Sequence, residues 1–267
     1  MTAHLILTLE APLIAFGGET IDNRGVVRNF PARSMLTGLI ANALGWDRTE
    51  GARLDALQAR INFAAVRLRE GARRQDYQTA RLFEGDAGWT THGAPEGRSK
   101  SPSFSWDRDW ETARGTSAKS LTHQRFRDFD ADALVLVALA LTEGGDPDLS
   151  TVAAALARPE RPLFVGRKPC LPSGPICGAA SVEAAFPIDA LLRHLVEVGW
   201  HGAAPAAWQP VETDTPGAAR MVGEPPSSGR LTIQRQDRVS DERRHRTGVH
   251  GGSRAVAEGI LTVEPHA

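Results

Sequence analysis

The chain has 267 residues, with 31 Lys and Arg against 32 Asp and Glu, so its formal net charge is −1. This length allows one large domain or two small ones, and the charge balance excludes a uniformly basic nucleic-acid coat while permitting a local basic surface. The two cysteines, Cys170 and Cys177, are too few for a disulfide framework and fit a reducing, cytoplasmic setting. The N-terminal residues do not resemble a signal peptide, and the longest apolar run, residues 133–141, is too short to cross a bilayer.

The first 70 residues predict two strands and two helices. Apolar residues alternate in the strands and recur with helical spacing in the helices. The predicted elements are a strand at residues 5–9, a loop at 19–32, a helix beginning at 31–34, a second helix at 51–60, and a strand at 61–68. Gly45 is a plausible end for the first helix, because glycine adopts the left-handed conformation common there.

Residues 70–130 have no sustained period and are rich in Gly, Ser, Thr and Arg with scattered aromatics. A stretch of this length inside a domain indicates a functional insertion or disorder. Further predictions are a buried strand at 133–141, a helix at 148–157, a short strand at 163–166, a loop at 167–178, a strand near 180–184, a helix at 187–198, and a strand at 230–233. Without the insertion this order approaches a ferredoxin-like β-α-β-β-α-β unit, a fold that does not by itself identify a function.

The sequence lacks the common enzyme motifs. It contains no G-x-S-x-G, H-E-x-x-H or Walker pattern, and none of the eight histidines has metal-ligand spacing. Asp128, Asp130 and Asp132 alternate as calcium ligands can, but no glycine and later glutamate complete such a loop, which favours helix capping. No catalytic residue, metal or cofactor is therefore expected.

Arginine accounts for most of the basic residues: only three of the 31 are lysines. Arginine suits forked phosphate contacts and stacking on bases, although a GC-rich genome also explains the excess, and composition alone favours that explanation. Placement is more informative, because Arg33 and Ser34 fall where a helix is predicted to begin and could seat a phosphate on its N–H groups. The alternative is a solvated loop with a serine cap.

Further arginines concentrate in three other segments. The insertion between Arg98 and Arg127 has seven basic and three acidic residues with interleaved aromatics, a composition suited to single-stranded RNA or to a solvated disordered loop. Residues 234–254 are rich in arginine and are expected to be mobile in isolation. Arg167 and Lys168 form a small additional cluster.

Several motifs resemble one protein family. The most specific is Phe-Pro-Ala-Arg-Ser-Met-Leu-Thr-Gly-Leu at residues 30–39, similar to the family pattern Phe-Pro-Thr-Arg-Ser-x-Leu-x-Gly-Leu. Other matches are Ala-Phe-Gly at 15–17, Asp-Tyr-Gln-Thr at 76–79, residues 121–133, in which Phe126 replaces the family tyrosine, and the Gly-Arg-Lys end of 162–168. The chain thus resembles the fifth Cas protein family (CasD-type subunits of the RAMP superfamily) of the type I-E CRISPR surveillance complex Cascade, with good coverage to about residue 190.

The resemblance implies an α+β fold: a ferredoxin-like (RRM-like) core at residues 1–199, a long β-hairpin thumb inserted at 70–130, and an irregular, Arg-rich C-terminal extension at 200–267. It also implies a non-catalytic subunit that holds the 5′ handle of the crRNA and caps the backbone filament. Expected partners are the backbone subunit, the large subunit and, through the complex, target DNA, with no membrane. A type I-C relative instead cuts precursor crRNA.

The RNA-binding residues expected from the resemblance and the arginine clusters are Arg24, Arg28, Arg33, Ser34, Tyr77, Lys119, His123, Arg125, Arg127, Arg167 and Lys168. Most would hold phosphates, whereas Tyr77 and His123 would stack on or hydrogen-bond to handle bases. An alternative is a metal-independent endoribonuclease, for which Tyr77, Lys119 and His123 are the only nominees. Another is a protein scaffold whose Arg-rich tail meets acidic partners.

Overall fold

In the computed structural model, antiparallel strands predominate over helices, which confirms an α+β protein. The structure describes residues 1–21, 23–82, 88–89, 95–96, 121–209, 211–212, 219–220 and 229–265. The helices are α1 (Arg33–Ala43), α2 (Gly51–Arg60), α3 (Leu149–Ala157) and α4 (Pro187–Glu197). The strands are β1 (Thr2–Glu10), β2 (Leu13–Ile14), β3 (Gly17–Ile21), β4 (Arg24–Val27), β5 (Ile61–Arg69), β6 (Ala72–Leu82), β7 (Gly88–Trp89), β8 (Pro95–Glu96), β9 (Leu121–Ala131), β10 (Leu134–Leu141), β11 (Cys177–Ala184), β12 (Gly202–Trp208), β13 (Val211–Glu212), β14 (Ala219–Arg220), β15 (Gly229–Val239), β16 (Arg243–Arg244), β17 (Val249–His250) and β18 (Arg254–Val263).

The chain divides into two units. The first comprises Met1–Glu19, Val27–Arg74 and Phe129–Ala267, and the second comprises Thr20–Val26 and Gln75–Asp128. No helix among the described residues is long and apolar enough to span a membrane.

A seven-stranded sheet organises the first unit, in the order β11-β1-β10-β5-β12-β18-β15 with antiparallel pairing. Helices cover both faces of its central strands. Strand β10 is therefore buried on both sides, and its sequence is a continuous run of apolar residues. Side chains alternate between faces: Val137 packs in the cluster with α1, α2 and α3, whereas Leu136 packs in the cluster with α4.

Local sequence explains the helix boundaries. Gly45, which follows α1, has φ of +72°, a conformation that glycine adopts without steric cost. The Asp148 side chain accepts a hydrogen bond of 2.7 Å from the Thr151 N–H and so caps α3. Pro187 is the first residue of α4, where its missing N–H costs no helical hydrogen bond. All four predicted helices are confirmed.

The C-terminal part departs from the sequence expectation. Residues 200–267 were expected to be irregular, but β12, β15 and β18 lie in the main sheet, and this part of the prediction is wrong. The alanine-rich strand β12 and the charged strand β15 lack the β-branched alternation that identifies strands. Both strands form through pairing with neighbouring strands: β12 pairs with β5, and β15 pairs with β18.

Two shorter predictions also need correction. The strand expected at residues 163–166 is not formed, because the chain turns there and the Val165 N–H bonds to the Cys170 carbonyl at 2.8 Å. The expected loop at 19–32 includes the end of β3 and the whole of β4. In the second unit, β4 pairs in parallel with β9, with Arg24 opposite Phe126, and β6 also pairs with β9.

Candidate nucleic-acid interface

The N-terminus of α1, predicted as a phosphate seat, is capped by a distant segment of the chain. The N–H of Arg33 donates to Asp241 Oδ2 at 3.1 Å, and the N–H of Ser34 donates to the Asp241 carbonyl oxygen at 3.0 Å. Asp241 is only 3% exposed. Its carboxylate therefore already occupies the position at the positive helix end that an anion would take. The serine cap considered as an alternative is not formed either, because the cap residue is Ala32.

The guanidinium group of Arg33 is also engaged inside the protein. Its Nη1 donates to Glu242 Oε1 and its Nη2 to Gln209 Oε1, both at 2.6 Å. Burial lowers the pKa of Arg33, and the neighbouring Arg254 lowers it further, although Glu242 and Asp241 act in the opposite direction. Arginine remains charged even so. RNA contact by Arg33 and Ser34 stays a prediction. The backbone N–H groups of both residues and the two terminal nitrogens of Arg33 already donate to residues 209, 241 and 242, and the buried Nε of Arg33 has no partner among the described residues.

Arg254 completes this network. Its Nε and Nη2 donate to the two carboxylate oxygens of Asp241 at 2.9 and 2.6 Å, a forked geometry. Its Nη1 donates to Gln209, and its guanidinium lies over the ring of Phe63, 4.7 Å from the centroid. Two arginines and two acids, Arg33, Arg254, Asp241 and Glu242, thus balance in charge at the start of α1.

A second network that sequence reasoning missed is centred on Asp130. Its carboxylate receives Nη2 of the buried Arg67 at 2.8 Å and Nε of the half-exposed Arg73 at 2.7 Å. Arg67 also donates to the backbone carbonyls of Asn29 and Glu70. The helix-capping role expected for Asp130 is therefore wrong, because it lies in β9 and ties that strand to β5 and β6.

Arg28 is held by backbone contacts. Its Nη2 donates to the Ser240 carbonyl at 2.8 Å, and its N–H donates to the Phe16 carbonyl at 2.7 Å. Its Nε is buried without a hydrogen-bond partner. Unlike Arg33, Arg28 forms no ion pair with a carboxylate among the described residues.

The loop that carries Arg167 and Lys168 is fixed by a glycine. Gly166 has φ of +101°, and a Cβ there would overlap the carbonyl oxygen of Ala15, so only glycine fits. The guanidinium of Arg167 lies over the ring of Phe129, 5.0 Å from the centroid, and Lys168 is exposed. Two motifs that carry the family resemblance, at residues 15–17 and 162–168, therefore meet in space.

In the second unit, cationic and aromatic side chains adjoin one another. Tyr77 is 52% exposed, and its ring centroid lies 5.2 Å from that of Phe126. The guanidinium of the exposed Arg24 lies 5.8 Å from the same Phe126 ring. Arg125 and Arg127 flank Phe126 on β9, and strand alternation directs them to the other face. Both are partly buried, and Arg125 donates to the Gln124 carbonyl.

Two predicted residues cannot be placed. Lys119 lies outside the described residues. His123 belongs to β9, but its side chain is outside the description as well. The remaining predicted residues separate by unit: Arg24, Tyr77, Arg125 and Arg127 in the second, and Arg28, Arg33, Ser34, Arg167 and Lys168 in the first.

Comparisons with known proteins agree on one family. A family model described as CRISPR-associated protein (Cas_Cas5) matches residues 4–256. The chain is 30% identical over 197 residues to the CRISPR system Cascade subunit CasD of Escherichia coli (strain K12), a match that covers 73% of this chain and 78% of that protein.

Solved structures show the same fold. The chain resembles a chain of a structure titled CRISPR RNA-guided surveillance complex, with a TM-score of 0.55, 20% identity, and coverage of 98% of this chain and 91% of that one. It also resembles a structure titled Crystal structure of Cas protein, with a TM-score of 0.56, 21% identity, and coverage of 98% of both chains.

Proposed function

Because the chain belongs to the Cas5 family of CRISPR-associated proteins, we propose that it is a non-catalytic crRNA-binding subunit of a cytoplasmic type I-E Cascade complex. In this role it holds the 5′ handle of the crRNA and caps the backbone filament, beside the backbone and large subunits, for RNA-guided DNA targeting in antiviral defence. The similarity to a Cascade subunit and to a chain of an RNA-guided surveillance complex supports this assignment.

We propose the domain organisation that the family resemblance implies. Residues 1–199 form a ferredoxin-like, RRM-like core, and residues 70–130 form its inserted thumb. Pairing of β6 with β9 supports a thumb that begins as a two-stranded ribbon. Residues 200–267 are an extension, and the pairing of β12 with β5 shows that part of it continues the main sheet.

The observation that carries RNA binding is the group formed by Arg24, Tyr77 and Phe126. Single-stranded RNA is recognised by stacking unpaired bases on aromatic rings while arginines contact the backbone. Tyr77 offers an exposed ring for a base, and Phe126 supports it from the side at 5.2 Å. Arg24 adds a positive charge beside the rings.

Phosphate contacts are assigned to Arg125 and Arg127 on β9 and to Arg167 and Lys168 on the glycine-fixed loop. Exposure of Lys168 and partial exposure of the three arginines allow these contacts. Arg33 and Ser34 would join them only if RNA displaced Asp241, so the proposal does not depend on them.

The experiment measures binding of the purified chain to a labelled single-stranded RNA that carries the repeat-derived 5′ handle, by fluorescence anisotropy at several salt concentrations. Tyr77→Ala removes one stacking platform and should weaken binding about tenfold, since base–aromatic stacking contributes roughly 1–3 kcal/mol. Arg24→Gln should lower the slope of log K against log salt by about 0.7. Arg48→Gln, at an exposed arginine outside the proposed surface, is the matched control.

Unchanged affinity and salt slope in both Tyr77→Ala and Arg24→Gln would refute the assigned surface. Incubating the chain with precursor crRNA in EDTA tests the claim that it is non-catalytic. Cleavage at one position, lost in Tyr77→Phe, would replace the proposal with the endoribonuclease alternative.

A further inference from the structure

A hairpin in the first unit carries cations that the surface proposed above does not use. Strands β16 and β17 pair as a short ribbon with Arg243 opposite His250, and we call residues 243–250 the arginine hairpin. Three of its first four residues are arginines, Arg243, Arg244 and Arg246. The side chains of Arg244, Arg246 and His250 are exposed. The arginine hairpin therefore presents a dense positive charge to solvent.

Two residues of α2 hold the backbone of the arginine hairpin. The side-chain amide of Gln58 donates to the Arg243 carbonyl and accepts from the Arg243 N–H, each at 3.0 Å, and Gln58 is only 7% exposed. The His245 N–H donates to Asp55 Oδ1 at 2.8 Å. These bonds fix the main chain of the hairpin and leave its arginine side chains available. A backbone that is ordered before binding lowers the entropy cost of binding.

Glycines let the two exposed arginines lie close to neighbouring backbone. A Cβ on Gly51, the first residue of α2, would lie 2.9 Å from both the backbone and the Cγ of Arg246, so the stem of Arg246 packs on the start of α2. A Cβ on Gly251 would lie 3.2 Å from Arg244 Nε. Neither guanidinium forms a hydrogen bond or an ion pair among the described residues. Both are thus free to contact an anion.

The acids nearest in sequence do not neutralise the arginine hairpin. Asp241 pairs with Arg254 and Glu242 pairs with Arg33, both at 2.6 Å. Asp55 contacts the hairpin through a main-chain N–H and offsets one of its three positive charges. The hairpin consequently keeps an excess of positive charge in the part of the chain that the structure describes.

The composition around the hairpin favours double-stranded DNA over single-stranded RNA. After Trp208 the chain contains no Phe, Tyr or Trp, so the hairpin offers no aromatic ring on which an unpaired base could stack. Single strands are bound largely through such stacking, whereas duplexes are held through their phosphates by Arg and Lys. A two-stranded β-ribbon also fits the major groove of B-form DNA, while the major groove of an RNA duplex is too narrow for side chains.

An acidic protein surface is a weaker fit to the same hairpin. Protein interfaces have an apolar core enriched in aromatic residues, and Val249 is the only aliphatic residue among residues 243–250. The hairpin therefore offers charge without the apolar contact area that a stable protein interface needs.

We propose that the arginine hairpin docks on the sugar–phosphate backbone of double-stranded DNA, with Arg244 and Arg246 contacting phosphates beside the major groove. The contact does not depend on base sequence, since phosphate contacts position a protein without reading bases. The inference goes beyond the proposed function, in which this chain itself contacts single-stranded RNA and DNA targeting is a property of the complex.

Fluorescence anisotropy measures binding of the full chain to a labelled DNA duplex of about 20 base pairs, two helical turns, at several low salt concentrations. Arg246→Gln should lower the slope of log K against log salt by about 0.9, and Arg244→Gln with Arg246→Gln by about 1.8. Arg244→Lys with Arg246→Lys keeps both charges and should keep the slope. Arg158→Gln, at an exposed arginine that follows α3, removes one charge away from the hairpin and is the control for the single variant.

Three further ligands make each result decisive: the handle RNA, an RNA duplex of the same sequence, and polyglutamate. The double Arg→Gln variant should bind handle RNA as wild type does, and the RNA duplex and polyglutamate should bind more weakly than the DNA duplex. Absent DNA binding, or an unchanged slope in the double variant, overturns the inference alone. Equal loss of handle RNA, equal binding of the RNA duplex, or tighter hairpin-dependent binding of polyglutamate also overturns it. Hairpin-dependent DNA binding without any handle RNA binding supports the inference and overturns the proposed function.

Discussion

The link between Asp241 and the start of α1 makes a quantitative prediction about stability. In Asp241→Asn the side chain keeps its shape and one acceptor oxygen for the Arg33 N–H, but it loses the charge that faces Arg254. The native carboxylate accepts two donors from Arg254, at 2.9 and 2.6 Å, and one from Arg33, at 3.1 Å. The change therefore leaves the buried guanidinium of Arg254 without its counter-ion.

The magnitude follows from burial. The Asp241 and Arg254 side chains are 3% and 10% exposed, so solvent screens the pair weakly. Removing one member of a buried ion pair costs about 3–5 kcal/mol, and the retained amide oxygen offsets part of this, since a neutral hydrogen bond contributes about 1 kcal/mol. We expect Asp241→Asn to lower the free energy of unfolding by about 2–4 kcal/mol. Asp241→Ala, which also uncaps α1, should cost about 1 kcal/mol more.

Urea unfolding followed by far-UV circular dichroism measures this change. Asp237→Asn is the control, because Asp237 is exposed and lies 3.9 Å from Arg235, and it should change stability by less than about 1 kcal/mol. A double-mutant cycle with Arg254→Met separates the pair from its surroundings. A coupling energy near zero, or equal losses in Asp241→Asn and Asp237→Asn, would refute the assignment of Asp241 as the buried counter-ion.

Two further predictions concern the backbone and pH. Gly166→Ala forces a Cβ onto the Ala15 carbonyl at φ of +101°, so it should lower the free energy of unfolding in urea by at least about 2 kcal/mol. The control is Gly174→Ala, which has open space around the added Cβ and should shift the unfolding midpoint little. Equal midpoint shifts in the two variants would contradict the close approach of Gly166 to Ala15. Burial lowers the pKa of His4 from 6.5, so the unfolded state binds more protons below that pH and the free energy of unfolding falls as the pH drops through 6.5. This fall should be smaller in His4→Gln, and an identical pH profile would show that His4 does not contribute.

Local sequence was sufficient for the elements whose stabilising contacts repeat along the chain. The predicted helix at 51–60 coincides with α2, and the apolar run at 133–141 contains β10. In α2, Leu54 and Leu57 are buried, which is the recurring apolar pattern that the prediction used. The capping of α3 by Asp148 is equally local, because donor and acceptor are three residues apart.

Contacts between distant segments were not predictable in this way. The Arg33–Glu242 pair joins residues 209 positions apart, and no periodic pattern in the sequence predicts it. The sequence therefore predicts phosphate contacts for Arg33 and Ser34, whereas the structure pairs Arg33 with Glu242. The pairing of β15 with β18 likewise depends on a partner strand rather than on its own exposed, charged pattern.

The buried ion pairs leave the net charge of −1 unchanged, because each joins one acid to one arginine. In the described part of the first unit, Asp130 pairs with the buried Arg67 and Asp241 pairs with Arg254, so the negative charge of both acids is neutralised inside the protein. Buried pairs contribute little to the potential outside the protein, which depends instead on where exposed cations such as Lys168 and exposed acids such as Asp132 lie. A net charge of −1 is therefore compatible with the proposed RNA-binding surface, which needs positive charge only where cations such as Arg24 lie, and the motif around Arg33 contributes contacts that hold α1 to residues 241 and 242.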